Sequence, residues 1–331
     1  DQYNKYFATI GTVVQKLIGT KEAIPIIENK GNFHFKEETE ETIVKLIDRI
    51  RVDVATGEDE ISAKLIKDAK YTIAGPLTKL VNLSYKKSTF PSSMKIAVIK
   101  ALHKKNCTED ISNYRPLSIL SVLSKIFERS ATDQIVKYLE ENGLLNSTQH
   151  AYRKKHSTTT CLMEAIDYIN EQRDKGKIVG LASLDLSKAF DLVNHSHLLN
   201  KLANFGLDQN TVKWCKSYLD QRKQKTKFKK FTSIEHTVTS GVPQGSILGP
   251  ILFICFTNDM ANTFTNCKII SYADDTQIIV TGNNKQQVKS KLEELIKQAQ
   301  KWYNENSLMN NASKTEIIII GKKTQKINPF T

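Results

Sequence analysis

From Glu41 to Ser84 apolar residues return at three- and four-residue intervals: Ile43, Val44, Ile47 and Ile50, then Leu65, Ile66, Ile73, Leu77, Leu80 and Val81. That spacing predicts helices packed along one face, punctuated at Gly57 and Gly75-Pro76. Lys95 to Leu102 then reads as a short strand and Ser124 to Glu141 as a long helix, with Gly143 as its C-terminal cap. Beyond Lys175-Gly176, Ile178 to Leu186 predicts a strand ending at Asp185, and Ser196 to Leu219 one or two helices. Lys268 to Tyr272 and Gln277 to Thr281 predict a hairpin, Gln286 to Asn306 a helix, and Thr315 to Ile320 a strand. With the stretch between Asp220 and Asn266 set aside, the order is β-α-β-β-α-β, the ferredoxin-like arrangement. Its first and third strands lie side by side and antiparallel. Asp185 is therefore expected beside Asp274 and Asp275, as one three-carboxylate site.

An Asp in a hairpin turn is by itself an ordinary turn residue, and Asp185 alone reads equally as a strand-end or helix-capping carboxylate. Together they change the picture. Like charges about 4 Å apart repel by roughly 4 kcal/mol at an effective dielectric near 20, so they call for a neutralising cation. Three convergent carboxylates suit two hard cations such as Mg²⁺, which keep waters and accept phosphate oxygens. Paired ions of that kind serve in-line phosphoryl displacement.

Composition narrows the partner. The chain has 331 residues, 40% of them hydrophobic, enough for two or three subdomains. Its 48 Lys and Arg against 35 Asp and Glu leave a formal charge of +13. That balance favours a polyanion, nucleic acid before membrane. The longest apolar run, Ile247 to Phe256, is interrupted by Gly249-Pro250 and falls short of the roughly 18 residues a bilayer demands. Cys107, Cys161, Cys215, Cys255 and Cys267 are widely spaced without a Cys-x-x-Cys pair, so neither a disulfide framework nor a zinc site is expected. The chain begins at Asp1 and lacks a secretory signal; it is expected to be a segment of a longer protein made in a reducing compartment.

Further candidates surround the carboxylates. Gly241-Val242-Pro243-Gln244-Gly245-Ser246-Ile247-Leu248-Gly249-Pro250 offers close backbone approach and one amide side chain for a nucleotide, or else a plain turn with Ser246 capping a helix. Phe190 would exclude a 2′-hydroxyl if it lay under the sugar, or else is a core aromatic. Arg115, Lys125, Arg129, Arg153, Lys154 and Lys155 are cations available to a triphosphate. The run Arg222 to Lys230 interleaves Phe228 with charge, as a phosphate-backbone contact does, or as a solvated β-ribbon or part of a nuclear import signal would.

Over Gly57 to Lys322 the chain resembles the reverse transcriptases of non-LTR (LINE-type) retrotransposons, especially the jockey-like groups. Four motifs carry the resemblance in order: Asn113 to Leu120 with Ser124 to Glu128, Ser183 to His195, Gly241 to Phe253, and Tyr272 to Asp275. It departs from them at Ala151, Leu192, Gly57 to Glu60 and Leu308 to Asn311. The resemblance implies an α+β, right-hand polymerase core: a helical N-terminal extension (1–94), fingers (95–176) and a ferredoxin-like (βαββαβ) palm (177–331), with a fingers-like basic segment inserted near 220–240. A thumb and an endonuclease would be missing. It further implies that Asp185, Asp274 and Asp275 hold two Mg²⁺ ions, with Mn²⁺ able to substitute, and that Phe190 is the gate against ribonucleotides. Gln244 would touch the incoming nucleotide, Arg115, Lys125 and Arg153 would face its triphosphate, and Lys314 would protonate the leaving pyrophosphate. The implied partners are an RNA template, a DNA primer and dNTPs, with assembly in the cytoplasm and integration in the nucleus. The alternatives are a catalytically inactive nucleic-acid-binding remnant, a nucleotide cyclase, and an RNA-templated RNA polymerase.

Overall fold

The computed structural model describes residues 1–18, 32–104, 107–228 and 231–321. In chain order the elements are helices α1 (Gln2–Ile18), α2 (Glu40–Asp48), α3 (Ala63–Asp68) and α4 (Lys70–Lys86), strands β1 (Ile96–His103) and β2 (Tyr114–Ile119), then α5 (Val122–Glu141) and α6 (Thr158–Asp174). There follow β3 (Ile178–Leu184), α7 (Ala189–Leu192), α8 (His195–Asn204), α9 (Gln209–Leu219), β4 (Arg222–Phe228), β5 (Phe231–Thr232) and β6 (His236–Val238). The remainder is α10 (Gly249–Thr257), the hairpin β7 (Lys268–Tyr272) and β8 (Asp275–Gly282), α11 (Lys285–Glu305) and β9 (Glu316–Ile320). They form two compact units, Asp1–Leu144 with Phe190–Phe256, and Leu145–Ala189 with Thr257–Thr331. These cut across the expected ranges 1–94, 95–176 and 177–331.

In the first unit β1 lies antiparallel to β2 and parallel to β4, with β6 on the far side of β4. That pairing puts Arg222 to Phe228 in the same sheet as the chain near 100, which explains why the unit spans distant stretches; Lys229 and Lys230 of the basic run lie outside the described residues. Lys225 pairs with Glu58 and Lys223 with Glu235, so part of the run is already neutralised. Helix α1 seats Phe7, with Tyr3 and Tyr6, against Ala97, Ile99 and Leu120. Its fully buried Asn4 donates to the carbonyls of Gln224 at 3.0 Å and Ile234 at 2.8 Å. Helix α1 falls within the expected helical extension 1–94, but apolar spacing did not single it out, since its partners are strands far along the chain. Behind the sheet an aromatic cluster of Phe35, Tyr85, Phe90, Trp214 and Tyr218 ties α4 to α9.

The expected break at Gly75-Pro76 does not occur, because α4 runs through both residues. Proline forfeits one amide bond there, while Ala74, Leu77, Val81 and Tyr85 remain buried. The missing side chain at Gly75 also makes room for Glu40, whose Oε1 lies 3.0 Å from where a Cβ would stand.

The second unit holds a four-stranded sheet in the order β7-β8-β3-β9, antiparallel throughout. This is the ferredoxin-like strand order, with the first and third strands adjacent as expected. Its helices are not the expected ones. Helices α8 and α9 belong to the first unit. Instead α6, which precedes β3, packs Cys161 and Ala165 on Val179, Ile270 and Ile279, while α11 covers the opposite face. Helix α6 escaped the sequence reading because exposed Leu162, Met163 and Ile166 blur its apolar stripe. At Gly180 in β3 the contact with α11 is so close that a Cβ would stand 2.3 Å from Val288 Cγ1 and 2.9 Å from Leu292 Cδ1. Valine is stiff at that atom, so added bulk must displace the helix. Gly180→Ala is accordingly expected to cost about 1–3 kcal/mol in urea unfolding; an unchanged midpoint would show that α11 yields without penalty.

Candidate active site

The carboxylates arise from register. Leu184 pairs with Thr276 across β3 and β8, so the next residue in each direction, Asp185 and Asp275, meets its counterpart at the sheet end. Asp275 has its carboxyl held above the usual carboxylate range, first by partial desolvation and then by the charge of Asp185, with Lys314 acting in the opposite sense. The end of β3 is bracketed by residues after α11: Asn311 N–H donates to the Asp185 carbonyl at 2.9 Å, and Ser187 N–H to the Met309 carbonyl at 2.9 Å. On the side chain, Asp185 Oδ2 accepts from Lys314 Nζ at 2.7 Å and from Asn311 Nδ2 at 3.2 Å. Lys314 is 58% exposed, so this ion pair adds little stability; its value is the placement of an ammonium at the carboxylates.

Asp274 lies in the turn just before β8. Its charge is felt at Tyr152, whose hydroxyl is raised by burial and then by that carboxylate. Among the described residues no group of three His, Cys, Asp or Glu side chains is placed to hold a metal ion. The structure thus brings Asp185, Asp275 and Lys314 together at the sheet end, with Asp274 next to Asp275 in the same turn.

The turn carrying these residues rests on Ala273, which adopts φ +54, a left-handed conformation unusual for a side-chain-bearing residue. Buried Gln149 lies against it: Oε1 accepts from the Ala273 N–H at 2.9 Å and Nε2 donates to the Ala273 carbonyl at 3.3 Å. On either side of Gln149, the Thr148 carbonyl accepts from Ser271 N–H and His150 N–H donates to the Ser271 carbonyl, both at 2.8 Å. Arg153, expected at a triphosphate, directs Nη1 to the carbonyls of Asn146 at 2.9 Å and Gln149 at 3.3 Å, and so braces this loop.

The other candidates lie in the first unit. Phe190 stacks on Phe253 with ring centroids 4.5 Å apart and planes 19° from parallel. Gln244 Nε2 donates to Asp191 Oδ1 at 2.7 Å, and its carbonyl accepts from Ser118 N–H at 2.8 Å. Gly245 has φ +117, and a Cβ there would stand 2.6 Å from the Ser118 carbonyl oxygen, so this approach requires glycine. Ser246 Oγ accepts from Gly249 N–H at 2.9 Å, which makes it a cap of α10. Arg115 is exposed on β2. Lys125 is half-buried, and burial draws its ammonium below the usual lysine range against the pull of Glu128.

Glu128 is a residue the sequence reading quoted without assigning a role. Fully buried, it accepts from Ser124 Oγ at 2.8 Å, Ile247 N–H at 2.7 Å and Leu248 N–H at 3.2 Å. An anion thereby satisfies orphan amides before α10 and fixes the Gln244 to Leu248 loop. The available signal was a charge four residues after Ser124 inside an apolar helix stripe.

A four-stranded antiparallel sheet with carboxylates at adjoining strand ends in one unit, and a β-sheet in the other, fit a right-hand polymerase fold. A solved structure of telomerase from Candida tropicalis, in complex with a fragment of telomeric RNA, matches the fold with a TM-score of 0.52 at 15% identity, over 79% of this chain and 46% of that one. The family model for reverse transcriptase (RNA-dependent DNA polymerase) matches residues 102–328, and the chain belongs to that family. It is 27% identical over 298 residues to a protein of Drosophila melanogaster named as a probable RNA-directed DNA polymerase from transposon X-element, covering 87% of this chain and 32% of the relative. It is 28% identical over 299 residues to the RNA-directed DNA polymerase from mobile element jockey of the same fly, covering 86% and 32%. The chain spans about a third of the length of these curated relatives.

Two outcomes follow for stability. Because the folded state holds the Asp275 proton more tightly than the unfolded chain does, ionising this group costs stability as pH rises from the normal carboxylate range through its raised folded value. Asp275→Asn should therefore gain stability relative to wild type at pH 7 and lose that advantage in acid, as read from urea midpoints across pH; a pH-independent difference would show that the folded state does not raise this carboxyl. Glu128→Leu should cost about 1–3 kcal/mol from its abandoned donors, and an undiminished unfolding midpoint would remove Glu128 as the loop's anchor.

Proposed function

We propose that this chain is the polymerase portion of a non-LTR retrotransposon protein, an RNA-directed DNA polymerase that extends a DNA primer on an RNA template from dNTPs. The observation that carries the reading is the register of β3 and β8, which opposes Asp185 to Asp275 with Lys314 on Asp185. Family membership and the names of the relatives support it. On this reading the sheet β7-β8-β3-β9 is the palm, and β1, β2, β4 and β6 are the fingers sheet, with the helices before β1 as an N-terminal extension.

The reverse transcriptase family generally uses divalent metal ions. Here two ions, Mg²⁺ with Mn²⁺ able to substitute, would be held by Asp185, Asp274 and Asp275. The fit rests on two carboxylates opposed at one sheet end, where Asp275 is harder to ionise through partial burial and then the charge of Asp185, a cost that a hard cation relieves. When bound, such ions neutralise charge on the attacking and leaving oxygens.

The chain's own side chains do the rest. The primer 3′-oxygen forms a bond to the α-phosphorus, the α–β bridging bond breaks, and the hydroxyl proton leaves to solvent. Lys314, whose ammonium is exposed, gives a proton to the departing pyrophosphate. Phe190 excludes a 2′-hydroxyl with a ring held stiff by its stacking on Phe253. Gln244 contacts the incoming nucleotide from a loop that Glu128 and Ser118 fix in place, while Arg115, Lys125 and Arg153 contribute positive charge toward the triphosphate. Assembly with RNA would occur in the cytoplasm and integration in the nucleus.

The test is extension of a DNA primer on an RNA template by the purified chain with Mg²⁺ and dNTPs. Asp185→Asn or Asp274→Asn should lower the extension rate at least about 10³-fold with the fold retained, and unaltered extension by either would remove the metal assignment. Phe190→Val should admit ribonucleotides; continued rejection by an active Phe190→Val enzyme removes the gate. Binding of primer-template without any extension by the wild type would mark an inactive remnant.

A further inference from the structure

The Tyr272-Ala273-Asp274-Asp275 turn needs an external support, because a left-handed alanine is an unfavourable conformation that persists only where its surroundings over-determine it. We infer that Gln149 is the positioning residue that locks this turn and thereby sets the spacing of the metal-binding carboxylates. The inference rests on the polymerase reading of the same site.

Gln149 is suited to that role by geometry. Its side chain is 93% removed from solvent, with 7% relative exposure, and its amide engages both polar backbone groups of Ala273. The orientation of the amide is settled by its partners: Oε1 faces two donors, the N–H groups of Ala273 and Ala151, each at 2.9 Å, so the nitrogen must face the Ala273 carbonyl. The backbone at Gln149 is itself anchored, bridged in parallel to Ser271 and held at its carbonyl by Arg153. Residues Thr148 to His150 therefore bridge to Ser271, and the Gln149 side chain reaches past the end of β7 to grip the turn. Rotation of Ala273 toward an ordinary conformation would break both amide contacts. It would also change the direction in which Asp274 and Asp275 leave the backbone, since they are the next two residues.

This role differs from a packing role. Gln149→Met keeps the buried volume and removes every hydrogen bond, while Gln149→Glu keeps the acceptor at Ala273 N–H and turns an oxygen toward the Ala273 carbonyl. Both variants should reduce kcat for single-nucleotide addition at least tenfold, with KM for the dNTP and the dissociation constant for primer-template within twofold of wild type. Both should also weaken Mn²⁺ binding at least threefold when followed by electron paramagnetic resonance in the absence of nucleotide. In the wild type, the Ala273 amide should be protected from hydrogen exchange.

Wild-type kcat and Mn²⁺ affinity in either folded variant would overturn the inference, as would a freely exchanging Ala273 amide. Should the wild type fail to extend primers, the polymerase reading falls while Mn²⁺ affinity and amide protection still decide the role of Gln149; absence of Mn²⁺ binding by the wild type overturns both.

Discussion

The antiparallel register of β3 against β8 places Leu184 opposite Thr276, and it thereby forces two carboxylates into each other's field at the sheet end. Part of the cost shows in Asp275, whose carboxyl is raised by partial burial and then by the charge of Asp185. A slip of one residue would send the alternating apolar set of both strands to the wrong faces, breaking the packing of Val179 and Ile279 on α6 and of Gly180 on α11. The core of this unit and the geometry of its site are thus fixed by one set of hydrogen bonds. An unfavourable charge pair is tolerated because the apolar burial on both sheet faces permits no other register.

Around that register the unit is built from small restraints on polar groups. Asn311 grips the backbone and side chain of Asp185, and Lys314 meets that carboxylate as an exposed counter-charge rather than a buried one. The first unit uses the same economy of parts differently. A single buried carboxylate, Glu128, holds the amides of Ile247 and Leu248, and two glycines let the loop approach β2 and α7 at backbone contact.

Several expectations survived because they depended on local periodicity. The hairpin, α5, α11, β9 and the strand order of the second sheet were legible from apolar spacing alone. Where the reading failed, the reason was nonlocal. Helix α6 hides its buried side behind exposed Leu162, Met163 and Ile166, and α1 owes its place to Asn4 and an aromatic edge meeting distant strands. The cations were the least legible: nothing local showed that Arg153 also reaches two backbone carbonyls.

By itself the sequence determined the chemistry on offer: Asp185, Asp274, Asp275, Lys314, Phe190 and Gln244, in an order and spacing that resemble a reverse transcriptase, and the strands that carry the acidic residues. Only the tertiary structure decided which of them meet. It paired Asp185 with Asp275, set Lys314 on Asp185, and brought Gln149 to Ala273. Periodicity reports which face of an element is apolar, a property of neighbouring residues. Hydrogen-bond partners across strands and loops are chosen by the packing of the whole unit, and no local pattern encodes them.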